Sequence, residues 1–447
     1  MPIFWWHATA GQSTFSRMKT TVLLGLFLFI FQLPAAPPLL ERLKDENARG
    51  QSQWIYNDLQ KAMAEAKRTG KPIFVTFRCV PCHACKAFDA EVAKGSKIIR
   101  ELAQEKFISL RQVEMKGVDL GLFQFDYDLN WAAMFINADG VVYGRYGTQS
   151  AAGPDAFNSI ESLEKAMQRV LKLHAEYPKN KFSLVMKRGA AKGYRTALQM
   201  PGLENKAKLR QNTQRNNCIH CHNIHDAENN QLHLTGKMTN DKLWRYPFPD
   251  NLGLSINPKD GQQIAKVVSN STAAKAGLRA GQRITHVDGQ PIVSIADIQW
   301  VLHNRSNGAE AIRVTVAGNS RSHLVKTAPG WKTVDISWRG SMWNVHPRLR
   351  VWMPAATPAE LKQLKLPGGH HAIKVKWINT GSKEGQAAQQ AGLRQGDFII
   401  AIDGKPLGKM TPQQFTAHVK LNYKSGQKLP LTLMRNGRRI QFQWPLQ

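Results

Sequence analysis

An internal repeat near the C-terminal end constrains this chain more than any other feature. The segments AKAGLRAGQRITHVDGQPI, Ala274 to Ile292, and QQAGLRQGDFIIAIDGKPL, Gln389 to Leu407, align without a gap at a constant offset of 115 residues and share nine identities in 19 positions. Two copies of one domain therefore occupy the chain from about residue 251 onward. Each copy carries Ala-Gly-Leu-x-x-Gly followed by an apolar strand that ends in Asp-Gly, a strong turn signal. The full 447 residues exceed what one hydrophobic core organises, so three or four domains are expected, with something different ahead of the pair. At 42% hydrophobic and 21% charged residues, the cores are those of an ordinary globular chain.

The cysteines say where chemistry sits. There are five, in two clusters: Cys79, Cys82 and Cys85, then Cys218 and Cys221. So few, so grouped, they mark sites and not a disulfide framework. Near the start, Met18 and Lys19 precede the apolar run Val22 to Leu33 and then LPAAPP. That order reads as an export signal over residues 1–36, with Met18 an alternative start. The run falls well short of the roughly 20 residues a membrane-spanning helix needs. Export to the periplasm or cell envelope is the expectation. The formal charge of +29 favours contact with an anionic surface. Without a long basic run or a base-reading motif, nucleic-acid binding is not expected.

Around the first cluster, residues 54–70 place Ile55, Leu59, Met63 and Ala66 on one helical face, and Gly70 with Pro72 stops the helix. Ile73 to Phe77 is an apolar run typical of a buried strand, and KAFDAEV after the cysteines has helical spacing. A strand over Phe107 to Val113, a hairpin turning at Asp139 and Gly140, and a helix through Ile160, Leu163, Met167 and Val170 follow. That order, with cysteines at a strand-to-helix junction, resembles the thioredoxin fold across residues 50–176. Two Cys-x-x-Cys pairs overlap, but the resemblance places the first active cysteine five residues after the last strand residue, which is Cys82, with Cys85-Lys86 entering the helix. A thiol at a helix N-terminus is stabilised as thiolate, so Cys82 attacks and Cys85 resolves. His83, when protonated, stabilises that thiolate further. Cys79 is a third thiol, available for an alternative disulfide or, with the other two, for a metal. Thioredoxins carry a cis-proline where this chain has Asn130-Trp131-Ala132-Ala133, so ordinary substrate handling is not implied.

Residues 177–250 are polar and read as a linker or a small cytochrome c-like segment around Cys218-Ile219-His220-Cys221-His222. Cys-x-x-Cys-His is the attachment pattern of a covalent c-type haem, with Cys218 and Cys221 on the vinyl groups and His222 as proximal ligand. No distal ligand stands out among His225, His233 and Met238. A zinc site from Cys218, Cys221 and two of His220, His222, His225 and His233 is the rival. A plain disulfide is the third reading.

In the repeat, Asn251-Leu252-Gly253-Leu254 resembles the PDZ carboxylate-binding loop, whose backbone N–H groups grip a peptide C-terminus while the peptide extends a sheet. This gives PDZ domains at 251–330 and, with an N-terminal extension, 331–447. In the second copy the loop is Leu366-Pro367-Gly368-Gly369 or lies upstream near Val351. Neither G-N-S-G-G nor G-x-S-x-G occurs, so proteolysis is not expected. FRCVPCHAC, MFINADGVVYGRYG, NNCIHCH and the tandem repeat together resemble a bacterial thioredoxin-like/PDZ (seleno)protein family over nearly the whole mature chain. The resemblance implies a multi-domain chain, α/β in its thioredoxin-like part and β-rich α+β in its PDZ parts. The expected function is thiol–disulfide exchange on exported proteins recruited by their C-termini, with a redox partner protein. A non-catalytic peptide-binding scaffold with structural or zinc-binding cysteines is the alternative.

Overall fold

The computed structural model describes residues 38–81, 84, 86–319, 321–367 and 369–447. The expected export segment lies outside the described residues, as do Cys82, His83 and Cys85. Leu39–Gln447 forms one compact unit, and among the described residues no helix is long and apolar enough to cross a membrane.

The first domain is built on a five-stranded sheet of order β1-β3-β2-β4-β5. Its strands are β1 Trp54–Tyr56, β2 Ile73–Arg78, β3 Ile108–Gln112, β4 Trp131–Ile136 and β5 Val142–Tyr146. β1 and β2 run parallel to β3, while β4 pairs antiparallel with β2 and β5 with β4. Because side chains alternate along a strand, β2 serves two cores. Ile73, Val75 and Phe77 meet Ala132, Met134 and Ile136 on one face. On the other, Phe74 meets Ala133, Phe135 and the helix Ile160–Ala175.

The helix expected over residues 54–70 is shorter than its periodicity implies, because Trp54–Tyr56 forms β1 and the helix runs only over Leu59–Thr69. Asp58 caps it, accepting from Lys61 N at 2.9 Å, and Gly70 closes it at φ 69°. The β-prone residues ahead of the cap pair with Ser109, Leu110 and Arg111 instead. A helix over Lys97–Glu105, not legible in the sequence, precedes β3.

The two repeats keep the same internal hydrogen bonds. Leu278 N donates to Ala273 O and Leu393 N to Ala388 O; Ile292 N donates to Thr285 O and Leu407 N to Ile400 O. The first copy contains β6 Leu254–Ile256, β7 Ile264–Val267, β8 Ile284–Val287, β9 Gln290–Pro291, β10 Ala311–Val316 and β11 His323–Lys326. The second contains β12 Val351–Trp352, β13 Ile373–Lys374, β14 Trp377–Ile378, β15 Phe398–Ile402, β16 Lys405–Pro406, β17 Lys428–Arg435 and β18 Arg438–Pro445. Their sheets run β11-β10-β8-β9 and β13-β15-β17-β18, with β6-β7 and β12-β14 as separate pairs and β16 beside β15.

The first repeat is fused to the first domain through the helix Ile295–His303, which packs on β5. Val293, at its start, joins the apolar core around Phe74. Gly144 makes the approach possible, since a Cβ there would fall 2.3 Å from Val293 Cγ2. The buried Asp297 accepts from Arg145 N and Val293 N and pairs with Lys187 Nζ at 2.9 Å, while the Arg145 guanidinium lies 3.7 Å over the Trp300 ring. Residues 177–250 do not form a core of their own. Ala197, Met200, Ile219, Cys221, Ile224 and Ala227 are part of the first domain's core.

Candidate functional site

The site begins where β2 ends at Arg78 and the helix Lys86–Ala90 starts, with the first cysteine cluster between them. On that helix, Asp89 is buried. It takes both arms of Arg111 at 2.8 Å, Asn47 Nδ2 at 2.7 Å and Trp131 Nε1 at 3.1 Å. Arg78 Nε lies 3.6 Å away. Burial alone would raise the Asp89 pKa, but the Arg111 and Arg78 charges outweigh it and hold the carboxyl below its usual range. Arg111 also bonds Asp45, whose carboxylate accepts the Tyr56 hydroxyl. The network fixes the base of the cysteine loop. A carboxylate at the fourth position of KAFDA, between Phe88 and Val92, is the sequence signal that marks it.

Of the loop itself, Cys79 is described and is disulfide-bonded; Cys218 and Cys221 are both free thiols, so neither is its partner. Where thioredoxins have a cis-proline, Asn130 precedes β4 and its carbonyl accepts from Arg78 Nη1 at 3.4 Å.

The second cysteine cluster lies against the first. Ile219 is plugged into the first domain's core, its N–H donating to Glu114 Oε1 at 3.0 Å and its carbonyl accepting from Met115 N at 3.2 Å. That anchor turns its two neighbours to opposite duties. Cys218 joins a small cluster with Leu43 and Val113 against which Val80 packs, and His220 brings Nδ1 to 2.8 Å from Cys79 Sγ. Burial, followed by the nearby His222, pulls the His220 pKa down to about 4, so the ring is neutral at pH 7. Burial pushes the Cys218 thiol up to about 11 and Cys221 up to about 12. No motif or spacing signals that residues 79 and 220, far apart in the chain, meet.

A covalent haem does not fit this arrangement. The cavity beside Cys218 holds about 260 Å³ and is lined mainly by polar groups, among them Glu204, Asn217, Asn223, Asp226 and Arg348. Small-molecule pockets run from roughly 300 to 1,000 Å³ and are mostly apolar. Cys221, at 8% exposure, faces the first domain's core instead, and His222 pairs with Asp226 at 3.3 Å and packs on Gly340. The two sulfurs and the imidazole do not face one space. The zinc donors do not converge either. His225 is spent on Glu228 and on Tyr127 N, and His233 stacks on His346 at 3.6 Å. Among the described residues, the His, Cys and carboxylate groups that do converge are Asp126, Asp128 and His225. Arg339 already fills that place, its Nη1 2.7 Å from Asp126 and 3.1 Å from Asp128.

In the first repeat, Leu252 and Leu254 are buried in the core on either side of Gly253, which is left-handed at φ 85°. The Gly253 N–H donates to Asp250 O, and Asn251 Nδ2 holds the carbonyls of Trp331 and Thr333 over the loop. The matching loop of the second repeat lies upstream, at Leu349-Arg350-Val351. Val268 N donates to Gly253 O and Asn379 N to Arg350 O, while Leu254 pairs with Val267 and Val351 with Ile378. Arg350 thus takes the glycine's place, also left-handed at φ 51°. Among the described residues no acceptor takes the N–H of Leu349 or Arg350. Nearby, Lys420 donates to Pro347 O at 3.1 Å, its pKa pushed down to about 7 by burial and then by Arg350 and Arg348.

Comparison with known proteins agrees with the sheets described above. A thioredoxin-like family model matches residues 54–138, and a PDZ domain model matches residues 263–317 and 380–417. The chain is similar to a probable periplasmic serine endoprotease DegP-like protein of Pseudomonas savastanoi pv. phaseolicola, 26% identical over 218 residues, covering 47% of this chain and 43% of that protein. It is also similar to the magnetosome formation protease MamE of Magnetospirillum gryphiswaldense, 28% identical over 43% of this chain and 28% of that protein. The chain spans less than half the length of these relatives. Among solved structures, the HtrA3 PDZ domain bound to a phage-derived ligand matches 22% of this chain and 83% of that one, at 20% identity and a TM-score of 0.18. The chain carries a thioredoxin-like domain followed by two PDZ domains.

Proposed function

We propose that this chain is an exported thiol–disulfide exchange protein whose PDZ domains recruit other exported proteins by their C-termini. The observation that carries the reading is the contact at the cysteine loop. A disulfide-bonded Cys79 at the strand-to-helix junction meets a neutral histidine, above a buried carboxylate held by arginine. Such a junction exposes unpaired N–H groups to the loop and favours a thiolate there, which suits Cys82 as the attacking group, His83 as its stabiliser and Cys85 as the resolving thiol. Haem and zinc are left out of the reading because their donors do not converge. Reduction of insulin by dithiothreitol, catalysed by the full chain, tests it. Cys82→Ser is expected to abolish the catalysis; an active Cys82→Ser beside an inactive Cys79→Ser would move the attack to Cys79.

Recruitment is assigned first to the second repeat, where the loop amides of Leu349 and Arg350 are unspent and Arg350 and Arg348 supply positive charge. A peptide with a free C-terminus is expected to bind the full chain at least about tenfold more tightly than its C-terminal amide, a difference of about 1.4 kcal/mol. Arg350→Glu should remove most of that difference in a calorimetric titration. Equal affinity for acid and amide would leave the PDZ domains only their packing role.

A further inference from the structure

We infer that the chain carries a binding site for a small organic monocarboxylate with an apolar body, in a cavity between residues 177–250 and the first PDZ domain. The site is separate from the cysteines, and the inference does not depend on the exchange reading above. The cavity holds about 630 Å³, within the roughly 300 to 1,000 Å³ that small-molecule sites occupy, and it lies at a domain boundary, where such sites concentrate.

The walls come from both sides of that boundary. The helix His222–Leu234 supplies Ala227 and Leu232, and Met200 and Trp244 add to the apolar lining. Gly202 lets its segment lie against the helix: a Cβ there would fall 2.1 Å from Ala227 O, and Asn230 Nδ2 donates to Gly202 O at 2.9 Å. The first PDZ domain contributes the end of its helix Ile295–His303, the residues just after it, and Lys332.

Charge decides the class of ligand. Four cations line the cavity, and three have a carboxylate in reach: Lys242 on Asp241 at 3.7 Å, Arg245 on Glu228 at 3.8 Å and Arg305 on Asp288 at 2.6 Å. The fourth, Lys332, is 8% exposed, and among the described residues no carboxylate lies within ion-pair distance of its Nζ. Two of its three protons go to His303 O at 2.8 Å and Arg305 O at 2.9 Å, while Asn307 Oδ1 fixes its backbone by accepting from Lys332 N at 3.0 Å. Burial pulls the Lys332 pKa down to about 8, as expected of a desolvated cation with no counter-charge beside it. Glu228 cannot turn to it, since Lys192, Tyr194 and His225 take its oxygens. The lining therefore lacks one negative charge and one acceptor. A single carboxylate supplies both, and the apolar lining takes the rest of the molecule; a nucleotide or polyphosphate would bring more charge than is missing.

The test is calorimetric titration of the full chain with phenylacetate, indoleacetate and isovalerate, each beside its primary amide. At least one acid is expected to bind once per chain with a Kd below about 1 mM, and at least about tenfold more tightly than its amide, the difference a hydrogen bond to a buried charge makes. Lys332→Met should remove that difference and leave the amide's affinity unchanged. Should loss of its two backbone contacts unfold that variant, Leu232→Trp, which fills the apolar part and keeps the charge, should abolish binding of acid and amide alike. Arg350→Glu, in the second PDZ domain, should change neither. Absence of binding by all of these acids, equal affinity for acid and amide, or acid binding that survives Lys332→Met or Leu232→Trp in folded protein would overturn the inference. Loss of acid binding in Arg350→Glu would overturn it too, by moving the carboxylate to the PDZ loop.

Discussion

Asp297→Ala should lower the stability of the full chain by about 3–5 kcal/mol, the cost expected when one partner is taken from a buried ion pair. Asp297 is at 0% exposure and is the carboxylate that Lys187 Nζ meets at 2.9 Å and Arg145 Nη1 at 3.9 Å. Burial already lowers the Lys187 pKa and pulls Arg145 down to about 10, so both cations depend on that carboxylate to remain charged where they are. Its oxygens also satisfy the N–H groups of Arg145 and Val293, on the two sides of the contact between β5 and the first PDZ domain. Removing it strands two cations and two amides. Because the chain has several domains, the readout is the first unfolding transition in urea, together with protease cleavage between the first two domains. A change under about 1 kcal/mol would mean the domains are held by apolar contacts such as Val293 alone.

Asp89→Ala should be comparably damaging, and its effect should depend on pH in a defined way. The carboxylate takes four close hydrogen bonds, two of them from Arg111. Without it Arg111 keeps only Asp45 and Trp131 Nε1 loses its acceptor, for an expected loss of about 3–5 kcal/mol at pH 7. The folded pKa of Asp89 is depressed, so its contribution is fully present above the unfolded carboxyl value, about 4, and is lost as pH falls through the lower folded value. The unaltered protein should therefore lose stability steeply below about pH 4, and Asp89→Ala should lose less over that range. Parallel pH profiles for the two proteins, measured by urea unfolding, would show that Asp89 is not held as an ion.

Much of the fold was legible because local pattern and tertiary packing agree. The apolar run Ile73 to Phe77 and the turn at Asp139-Gly140 became β2 and the β4–β5 hairpin, and the repeat offset reproduced equivalent hydrogen bonds in both PDZ copies. Where they disagreed, long-range pairing won. Ile55 fits the helical face that Leu59 begins, yet it pairs with Leu110 in the sheet, which no local window contains. The second repeat's counterpart of the Gly253 loop was hidden for two reasons. The four-residue helix Thr272–Lys275 becomes the eight-residue Lys383–Gln390, and the extra helix Pro358–Leu364 enters between β12 and β14, so the offset fails upstream of the repeat core. An arginine also stands at the left-handed position where glycine is the sequence signal.

At the site, the cysteines announced themselves by spacing, but their use did not. Cys-x-x-Cys-His carries the same letters whether it faces a porphyrin or a protein core, and the choice lies in what surrounds it. Here Ile219 and Cys221 are drawn into the thioredoxin-like core, and His222 is held by Asp226. The polar look of residues 177–250 concealed this, because their few apolar residues are spent on a neighbouring domain. Asp89, Asp297 and Arg339 were missed for a related reason: a charge reads as surface until its partner, remote in sequence, is known.

Disulfide exchange is the role proposed for the first cysteine cluster. The reduction potential of that cluster's couple in the full chain, from equilibration in dithiothreitol and glutathione buffers followed by alkylation mapping of Cys79, Cys82 and Cys85, tests it. Exchange predicts a potential above about −300 mV, whereas a structural disulfide lies below it. A couple that stays oxidised below that value would be a structural disulfide and would rule out exchange.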